Sequence, residues 1–369
     1  MSDFLFSPPV VETVSDSDKK SRAAVQALLA DSGIRLDPHI DYQCAIFDDD
    51  RRAVATGSCF KNTLRCFAVR ADRQGEGLLN SILSHLLTVQ TGRGYTHLFL
   101  YTKPSAAKFF ASNGFYELAR SSGQVVFMEN RRRGFSDYLD AVRQETAASD
   151  AGSGTGGGLA VVMNANPFTL GHAALIEAAS AAAGSALVPA PVHVFVLSED
   201  TSLFPADVRY ELVRRGCAPY KNVVVHKSGP YMISCATFPS YFQKDEDEVI
   251  ASYAELDARV FIRIAHELGI TGRYIGQEPA SRVTAAYNRV LLQRLPEAGI
   301  ACTEIPRRTA MTPGGEMIVS ASTVRTALQT GDQELLRCLV PDATFAYLQS
   351  PAAAGVIEAV RHAGDVVHY

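Results

Sequence analysis

A short stretch in the second half of the chain combines residue types that bind a phosphate group. Asn164-Ala-Asn-Pro-Phe-Thr-Leu-Gly-His172 follows the apolar run Leu159–Met163 and precedes an alanine-rich segment typical of a helix. Where a strand leads into a helix, backbone N–H groups and the positive end of the helix dipole converge on one point. Thr169 and His172 can donate hydrogen bonds there, and a fixed donor to charge that grows in the transition state contributes about 2.7–4 kcal/mol. A single histidine at a helix start needs no ligand, but its combination with Thr169 and Gly171 predicts a phosphate site.

A second candidate stretch lies far downstream, where Val319-Ser-Ala-Ser-Thr-Val-Arg325 opens another helix pattern. Ser320 or Ser322 can cap this helix, whose N-terminus again favours an anion. Arg325 follows within the first turn and can cover a phosphate with a planar fork of donors. Alone, the stretch would be an ordinary cap beside a surface arginine. Together with the first stretch it predicts a second phosphate-binding element.

Two weaker stretches also follow predicted strands. Ile275-Gly-Gln-Glu-Pro279 is placed where a nucleotide base or ribose would rest, which makes Gly276 and Glu278 candidate contacts. Ser234–Lys244 carries hydroxyl groups and a lysine on a predicted loop. Each of the two stretches could equally be a structural turn.

The elements that must position these residues alternate strictly between strands and helices. Strands are predicted at 159–163, 192–198, 222–227, 272–275 and 300–305, and helices at 171–183, 205–217, 245–268, 283–295 and 322–330. Such alternation predicts an α/β domain with right-handed crossovers and a parallel sheet covered on both faces. Ligands of such sheets bind at the carboxyl ends of the strands, where both phosphate stretches are expected.

The first part of the chain, 1–143, is predicted to be an α+β domain. Its helices are expected at 19–32, 77–90 and 104–112, and its strands at 42–47, 53–60, 63–69, 98–101 and 124–128. The segment 144–158 is small and glycine-rich, so we predict a flexible linker between this domain and the domain 159–369. Its G-x-G-x-x-G match at Gly152 precedes a strand instead of following one, which argues against a dinucleotide loop.

Composition excludes several other classes of protein. The 369 residues are 47% hydrophobic and 20% charged with a formal net charge of -4, so no basic excess indicates a nucleic acid or an anionic membrane as partner. The first residues lack a signal-peptide pattern, and no apolar run approaches the roughly 20 residues that span a bilayer. Seven dispersed cysteines without a C-x-x-C pair predict reduced thiols, a cytoplasmic location and no metal site.

The two phosphate stretches resemble the fingerprints of the HIGH-type nucleotidyltransferase superfamily, G-S-F-[DN]-P-x-[TH]-x-G-H and I-S-S-T-x-x-R. This sequence departs from them at Met163, Asn164, Ala165 and Ala321. The resemblance implies a Rossmann-like domain with His172, Thr169 and Arg325 as catalytic residues. It also implies nucleotide contacts from Asn164, Asn166, Phe168, Thr169, Gly171, His172, Gly276, Glu278, Ser320, Ser322 and Arg325.

Within that superfamily the chain is most similar to the citrate lyase ligase family. The strings that carry the resemblance are Val162–His172, Ala236–Phe242, Gly276–Pro279, Ile305–Arg307 and Ile318–Ser322. The resemblance implies that ATP and acetate are used to acetylate the thiol of a CoA-like prosthetic group on the acyl-carrier subunit of citrate lyase, releasing AMP and pyrophosphate. Mg²⁺ is expected to arrive with the ATP phosphates. Four alternatives remain open: a malonate decarboxylase-type acyl carrier as partner, a plain adenylyltransferase of cofactor biosynthesis, a protein or small-molecule N-acetyltransferase, and a non-enzymatic carrier-binding regulatory module.

The first part of the chain resembles a GNAT acetyltransferase domain through Val69–Gly77, which is similar to its pyrophosphate loop, and through Ala107–Phe115. Asp72 stands where a Gln or Arg usually opens that loop, and its charge would repel a pyrophosphate. Phe110 stands where many members have a tyrosine, and a phenyl ring cannot protonate a leaving thiolate. Three roles are therefore open: a packing domain, a domain that holds a pantetheine-like arm, and a working acetyltransferase.

Overall fold

A computed structural model describes residues 9–122, 125–149, 151, 157–186, 190–198, 201–232, 246–278 and 281–363. The chain divides into two compact units, Met1–Phe135 with Phe238–Ser252, and Ser136–Thr237 with Tyr253–Tyr369. The predicted loop Ser234–Lys244 lies outside the described residues, as do Gly152 and Pro279.

A seven-stranded mixed sheet forms the centre of the first unit. Its strands are β1 (Glu12–Thr13), β2 (Tyr42–Phe47), β3 (Ala53–Phe60), β4 (Thr63–Val69), β5 (Phe99–Thr102), β6 (Tyr116–Arg120) and β7 (Val126–Glu129). They lie in the order β1-β2-β3-β4-β5-β7-β6, in which only β4 and β5 pair in parallel. The helices are α1 (Lys19–Asp31), α2 (Leu78–Gly92) and α3 (Pro104–Ser112). The predicted α+β class is confirmed, although β6 was missed because this edge strand is mostly polar and exposed.

Helix α4 (Gly134–Ala147) was not predicted and corrects part of the linker assignment. It covers residues 144–147, which were expected to belong to the flexible segment 144–158. Leu139 and Val142 are buried and spaced three residues apart, so the helix has an apolar face. The helix was missed because most of the residues around these two are polar. The domain boundaries themselves stay a prediction.

A five-stranded, fully parallel sheet forms the centre of the second unit. Its strands are β8 (Gly158–Met163), β9 (Val192–Val196), β10 (Val223–Lys227), β11 (Ile270–Gly276) and β12 (Ala301–Ile305). The connecting helices are α5 (Leu170–Gly184), α6 (Ala206–Cys217), α7 (Glu246–Leu268) and α8 (Arg282–Glu297). The predicted alternation is confirmed in every element. Buried parallel strands give nearly continuous apolar runs, and all five residues of β9 are buried.

The order of this sheet, β10-β9-β8-β11-β12, places its reversal between β8 and β11. Crevices at such a reversal hold ligands in open parallel sheets, so the loops after β8 and β11 are positioned for binding. After β12 the chain forms the hairpin β13 (Thr309–Thr312) and β14 (Gly315–Ile318), which was not predicted, and then α9 (Ala321–Thr330). The remaining helices are α10 (Gln333–Leu339), α11 (Asp342–Leu348) and α12 (Ala354–His362). Among the described residues, none of the helices is both long and apolar enough to cross a membrane.

Candidate functional site

The N-terminus of α5 is closed by a reciprocal cap between Thr169 and His172. The Oγ1 atom of Thr169 accepts a hydrogen bond from the backbone N–H of His172 at 3.4 Å, and Nδ1 of His172 accepts one from the backbone N–H of Thr169 at 3.1 Å. Thr169 is buried, and its hydroxyl lies 2.9 Å from Nδ1 of His172. The hydroxyl expected to face a phosphate is therefore used within the cap, where it fixes the imidazole ring.

This cap also determines which nitrogen of His172 carries the proton. Burial, together with the nearby positive charge of Arg307, lowers the pKa of His172 to about 4, so the ring is neutral near pH 7. Because Nδ1 accepts the Thr169 N–H, the single ring proton belongs on Nε2. Nε2 has no hydrogen-bond partner in the part of the chain that the structure describes, and the side chain is partly exposed. The structure thus holds one fixed N–H donor at the start of α5.

Asn164 and Asn166, which were expected to contact a nucleotide, are engaged inside the protein. The amide oxygen of Asn164 accepts a 2.6 Å hydrogen bond from Arg209, and that of Asn166 accepts one from the Phe204 N–H at 3.0 Å. The fully buried Arg209 also donates to the main-chain oxygens of Asn164 and Leu197. Arg209 was missed by the sequence analysis, because a guanidinium that binds carbonyl groups leaves no motif. It holds the loop after β8 against the end of β9.

Phe168 was also expected to contact the nucleotide, and the structure places it in the core instead. Its side chain is 0% exposed, and its ring stacks on that of His172 with 6.0 Å between centroids. A Cβ at Gly216 would lie only 2.2 Å from the Phe168 ring, so α6 passes directly beside it. An apolar ring with no exposed surface supports the histidine from behind and cannot itself reach a ligand in this conformation.

The second predicted stretch meets the first at the same end of the sheet. Ser320 caps α9 by accepting the Thr323 N–H at 3.0 Å, and its Oγ atom lies 2.8 Å from that of Ser322. Arg325 donates from Nη1 to the main-chain oxygen of Asn166 at 2.7 Å. That carbonyl is its one polar contact within the described ranges, and burial lowers the pKa of this arginine. A partly desolvated positive charge without a carboxylate partner favours an anion from solution.

Gly171 lies next to the second predicted stretch. A Cβ there would lie 3.4 Å from the main-chain oxygen of Val319, immediately before the Ser320 cap. This is an ordinary van der Waals distance, so the contact between the two stretches does not itself require glycine, and the close approach of a ligand at Gly171 stays a prediction.

The loop after β11 forms the third side of the site. A Cβ at Gly276 would meet no atom within 4 Å, so open space lies beside the end of this strand. Glu278 forms an ion pair with Arg307, which also donates from Nε to the main-chain oxygen of Gln277 at 2.8 Å. In the sequence, Arg307 was identified only as part of a string that carries the family resemblance. Its position near His172 was not predicted.

Comparisons with known proteins decide the family. The family model described as citrate lyase ligase C-terminal domain matches residues 159–348. The citrate (pro-3S)-lyase ligase of Haemophilus influenzae is 34% identical over 340 residues, 90% of this chain and 96% of the relative. The chain belongs to the citrate lyase ligase family. A second citrate lyase ligase, from Escherichia coli, is 33% identical over 352 residues, 94% of this chain and 95% of the relative.

Solved structures match about a third of this citrate lyase ligase family member. Escherichia coli ElaA has 15% sequence identity and a TM-score of 0.30, and the match covers 34% of this chain and all of ElaA. A structure titled as a putative acyl-CoA N-acyltransferase from Klebsiella pneumoniae has 20% identity and a TM-score of 0.28, covering 33% of this chain and 95% of that chain.

A cavity of about 830 Å³ lies within the first unit of this family member. It opens where β4 and β5 separate, since these strands pair only at Thr63–Phe99 and Leu64–Leu100 and then diverge. Val69 and Tyr101, beyond those pairs, line the cavity. Asp72, expected to repel a pyrophosphate, forms an ion pair with Arg70, so its charge is partly neutralised.

Proposed function

We propose that this chain is an AMP-forming acid–thiol ligase that acetylates the thiol of a CoA-like prosthetic group on the acyl-carrier subunit of citrate lyase, using ATP and acetate. The observation that carries the proposal is the convergence, in a member of the citrate lyase ligase family, of a fixed Nε2–H donor on His172 with the charge of Arg325, which pairs with no carboxylate among the described residues. Both groups belong to the carboxyl edge of a parallel sheet, where such folds bind nucleotides.

Two displacements account for all atoms of the reaction. An acetate oxygen attacks the α-phosphorus of ATP, and the bond from that phosphorus to the bridging oxygen of pyrophosphate breaks, giving acetyl-adenylate. The carrier thiol loses its proton and attacks the acetyl carbon, and AMP leaves with the electron pair of the acyl–oxygen bond. No protein nucleophile is required, so the site contributes positioning and charge stabilisation.

Each site residue has a role that follows from its contacts. His172 donates from Nε2 to a phosphate oxygen, and Arg325 offers the guanidinium edge that does not face Asn166. The Ser322 hydroxyl at the start of α9 adds a third donor. Gly276 and Glu278 lie where the base and ribose would rest. Thr169, Asn164 and Asn166 contribute indirectly, by fixing the protein groups to which they are hydrogen-bonded.

Binding of Mg²⁺ at this site would depend largely on the phosphates of the nucleotide. Within the described ranges, no three His, Cys, Asp or Glu side chains cluster as metal ligands. Mg²⁺ is commonly bound by one or two carboxylates together with substrate phosphates. Of the described loops that form the site, the one after β11 supplies the carboxylate of Glu278, which forms an ion pair with Arg307. Mg²⁺ is accordingly proposed to reach the site with the ATP phosphates.

The direct test of this function is pyrophosphate release by the full chain with ATP and each candidate acid. Acetate should stimulate release, and a deacetylated citrate lyase acyl carrier should become acetylated at its prosthetic thiol. A malonate decarboxylase-type carrier should be a poorer acceptor. Release that depends on a nucleotide-like phosphate and ignores acetate would identify a plain adenylyltransferase and refute the proposal.

Replacing Arg325 with lysine should lower the rate of acetate-dependent pyrophosphate release by about tenfold or more. Lysine keeps the charge but loses the planar fork, so it cannot bind the Asn166 carbonyl and a phosphate with one rigid group. The matched control is Arg361→Lys on the exposed end of α12, which should leave the rate unchanged. Equal rates for the two variants would show that Arg325 contributes only its positive charge and that its planar guanidinium is not required.

For the first unit, we propose that the cavity holds the pantetheine-like arm of the carrier. Such an arm is a narrow chain with two amide groups, and the diverging edges of β4 and β5 offer backbone partners for amides in the manner of an added strand. Phe110 is buried beside the cavity and offers no proton. The unit is accordingly proposed to bind the arm without acetyltransferase chemistry.

A further inference from the structure

Arg307 contacts two separate segments of the candidate site. Its Nε–H donates to the main-chain oxygen of Gln277 at 2.8 Å, and its Nη1 lies 3.5 Å from the main-chain oxygen of Val319. Nη2 forms the ion pair with Glu278. The guanidinium therefore lies between the loop after β11 and the residue that precedes the Ser320 cap of α9.

The surroundings of Arg307 indicate a role beyond linking these segments. Its side chain is 23% exposed, so the group reaches the surface of the site instead of being enclosed like Arg209. A guanidinium has five N–H donors, and the contact to Val319 at 3.5 Å is long, so donors remain for another acceptor. Its Nη1 contacts the same Val319 oxygen that a Cβ at Gly171 would approach to 3.4 Å, so the guanidinium lies near the start of α5, where His172 is.

We propose that Arg307 is a phosphate-binding residue of the nucleotide site, with Glu278 as the counter-ion that orients it before the nucleotide binds. The inference rests on the proposed function, since it assigns a further contact to the same ATP. Together with Arg325 on α9, it gives the triphosphate two guanidinium groups, one from the loop after β12 and one from the first turns of α9. When the phosphates engage Arg307, Glu278 is released toward the ribose hydroxyls, for which a carboxylate is an acceptor.

The chain offers a closely matched control at the next position. Arg308 is also an arginine, is more exposed than Arg307, and lies 4.0 Å from Glu177 on α5. Its guanidinium makes no contact with Gln277, Glu278 or Val319. A substitution of Arg308 therefore changes the net charge equally while leaving the proposed phosphate contact in place.

The experiment measures the affinity of the full chain for ATP and for adenosine, by calorimetry or by competition, in Arg307→Gln, Arg307→Lys and Arg308→Gln. Arg307→Gln should lower the affinity for ATP by about tenfold or more. It should lower the affinity for adenosine by less than about twofold, because only ATP carries phosphates. Arg307→Lys should recover part of the ATP affinity, since the charge remains without the fork. Arg308→Gln should bind both as the unsubstituted chain does.

Two outcomes would overturn the inference. One is unchanged ATP affinity in Arg307→Gln. The other is an equal loss of affinity for ATP and for adenosine, which would show that Arg307 only supports the loops. If Arg307→Gln does not fold, the ratio of ATP to adenosine affinity in Arg307→Lys decides between the same outcomes. Neither measurement involves acetate, so a chain that binds ATP through Arg307 but fails to release pyrophosphate with acetate would refute the proposed function alone.

Discussion

Replacing His172 with alanine should lower acetate-dependent pyrophosphate release by about a hundredfold or more. The reason is the loss of a fixed Nε2–H donor that stabilises charge on the phosphate oxygens in the transition state. The cap of α5 loses its Nδ1 acceptor as well, yet the Phe168 ring beneath it stays buried, so the fold should persist. Steady-state pyrophosphate release at saturating ATP and acetate measures the effect.

The control for this substitution is His362→Ala at the exposed end of α12, where the ring is hydrogen-bonded to the main-chain oxygen of Glu358 in its own helix. That variant should retain the full rate. A folded His172→Ala enzyme with the rate of the control would show that Nε2 does not stabilise the reacting phosphate.

The lowered pKa of His172 gives a second, independent measurement. An unfolded histidine titrates near 6.5 and the folded one near 4, so between these values the unfolded state binds more protons. The free energy of unfolding therefore falls as pH decreases from about 6.5 toward 4. A His172→Gln variant does not show the part of this decrease that comes from protonation of His172. Denaturant unfolding of both proteins across that range should show their stabilities converging as pH falls. A constant difference would mean that His172 titrates normally.

The parts of the site that the sequence predicted are those carried by local signals. The loop after β8 lies between an apolar strand and a helix, and Thr169 and His172 interact across three positions of one helical turn. Ser320 and Thr323 likewise form a cap within a single turn. Strand-to-helix junctions and caps depend on near neighbours in sequence, so their residues can be placed without knowing the fold.

The parts that were missed depend on contacts between distant residues. Phe168 belongs to the core because α6 presents Gly216 beside its ring, which nothing near Phe168 indicates. Arg209 binds the loop of Asn164, and Arg307 binds the loop of Gln277; neither pair is close in sequence. An arginine that will bind carbonyl groups looks the same in a sequence as one that remains in solvent.

Replacing Ala106 with tryptophan should separate the two half-reactions. Ala106 lines the cavity of the first unit from α3, and an indole ring there would occupy space proposed for the carrier arm. Formation of acetyl-adenylate, trapped with hydroxylamine in the absence of carrier, should stay within about twofold of the unsubstituted rate, because every residue assigned to that step belongs to the second unit. Transfer to the carrier thiol should fall by about tenfold or more, as expected when a bound chain loses its site.

Ala111→Trp supplies the matched control, because Ala111 is on the same helix but is exposed and does not line the cavity. It should leave both half-reactions unchanged. If Ala106→Trp lowers adenylate formation and transfer equally, the first unit supports the second structurally and its cavity has no part in transfer. If neither rate changes, the second unit binds the carrier arm without the cavity. Only a selective loss of transfer, absent from Ala111→Trp, assigns the arm to the space between β4 and β5.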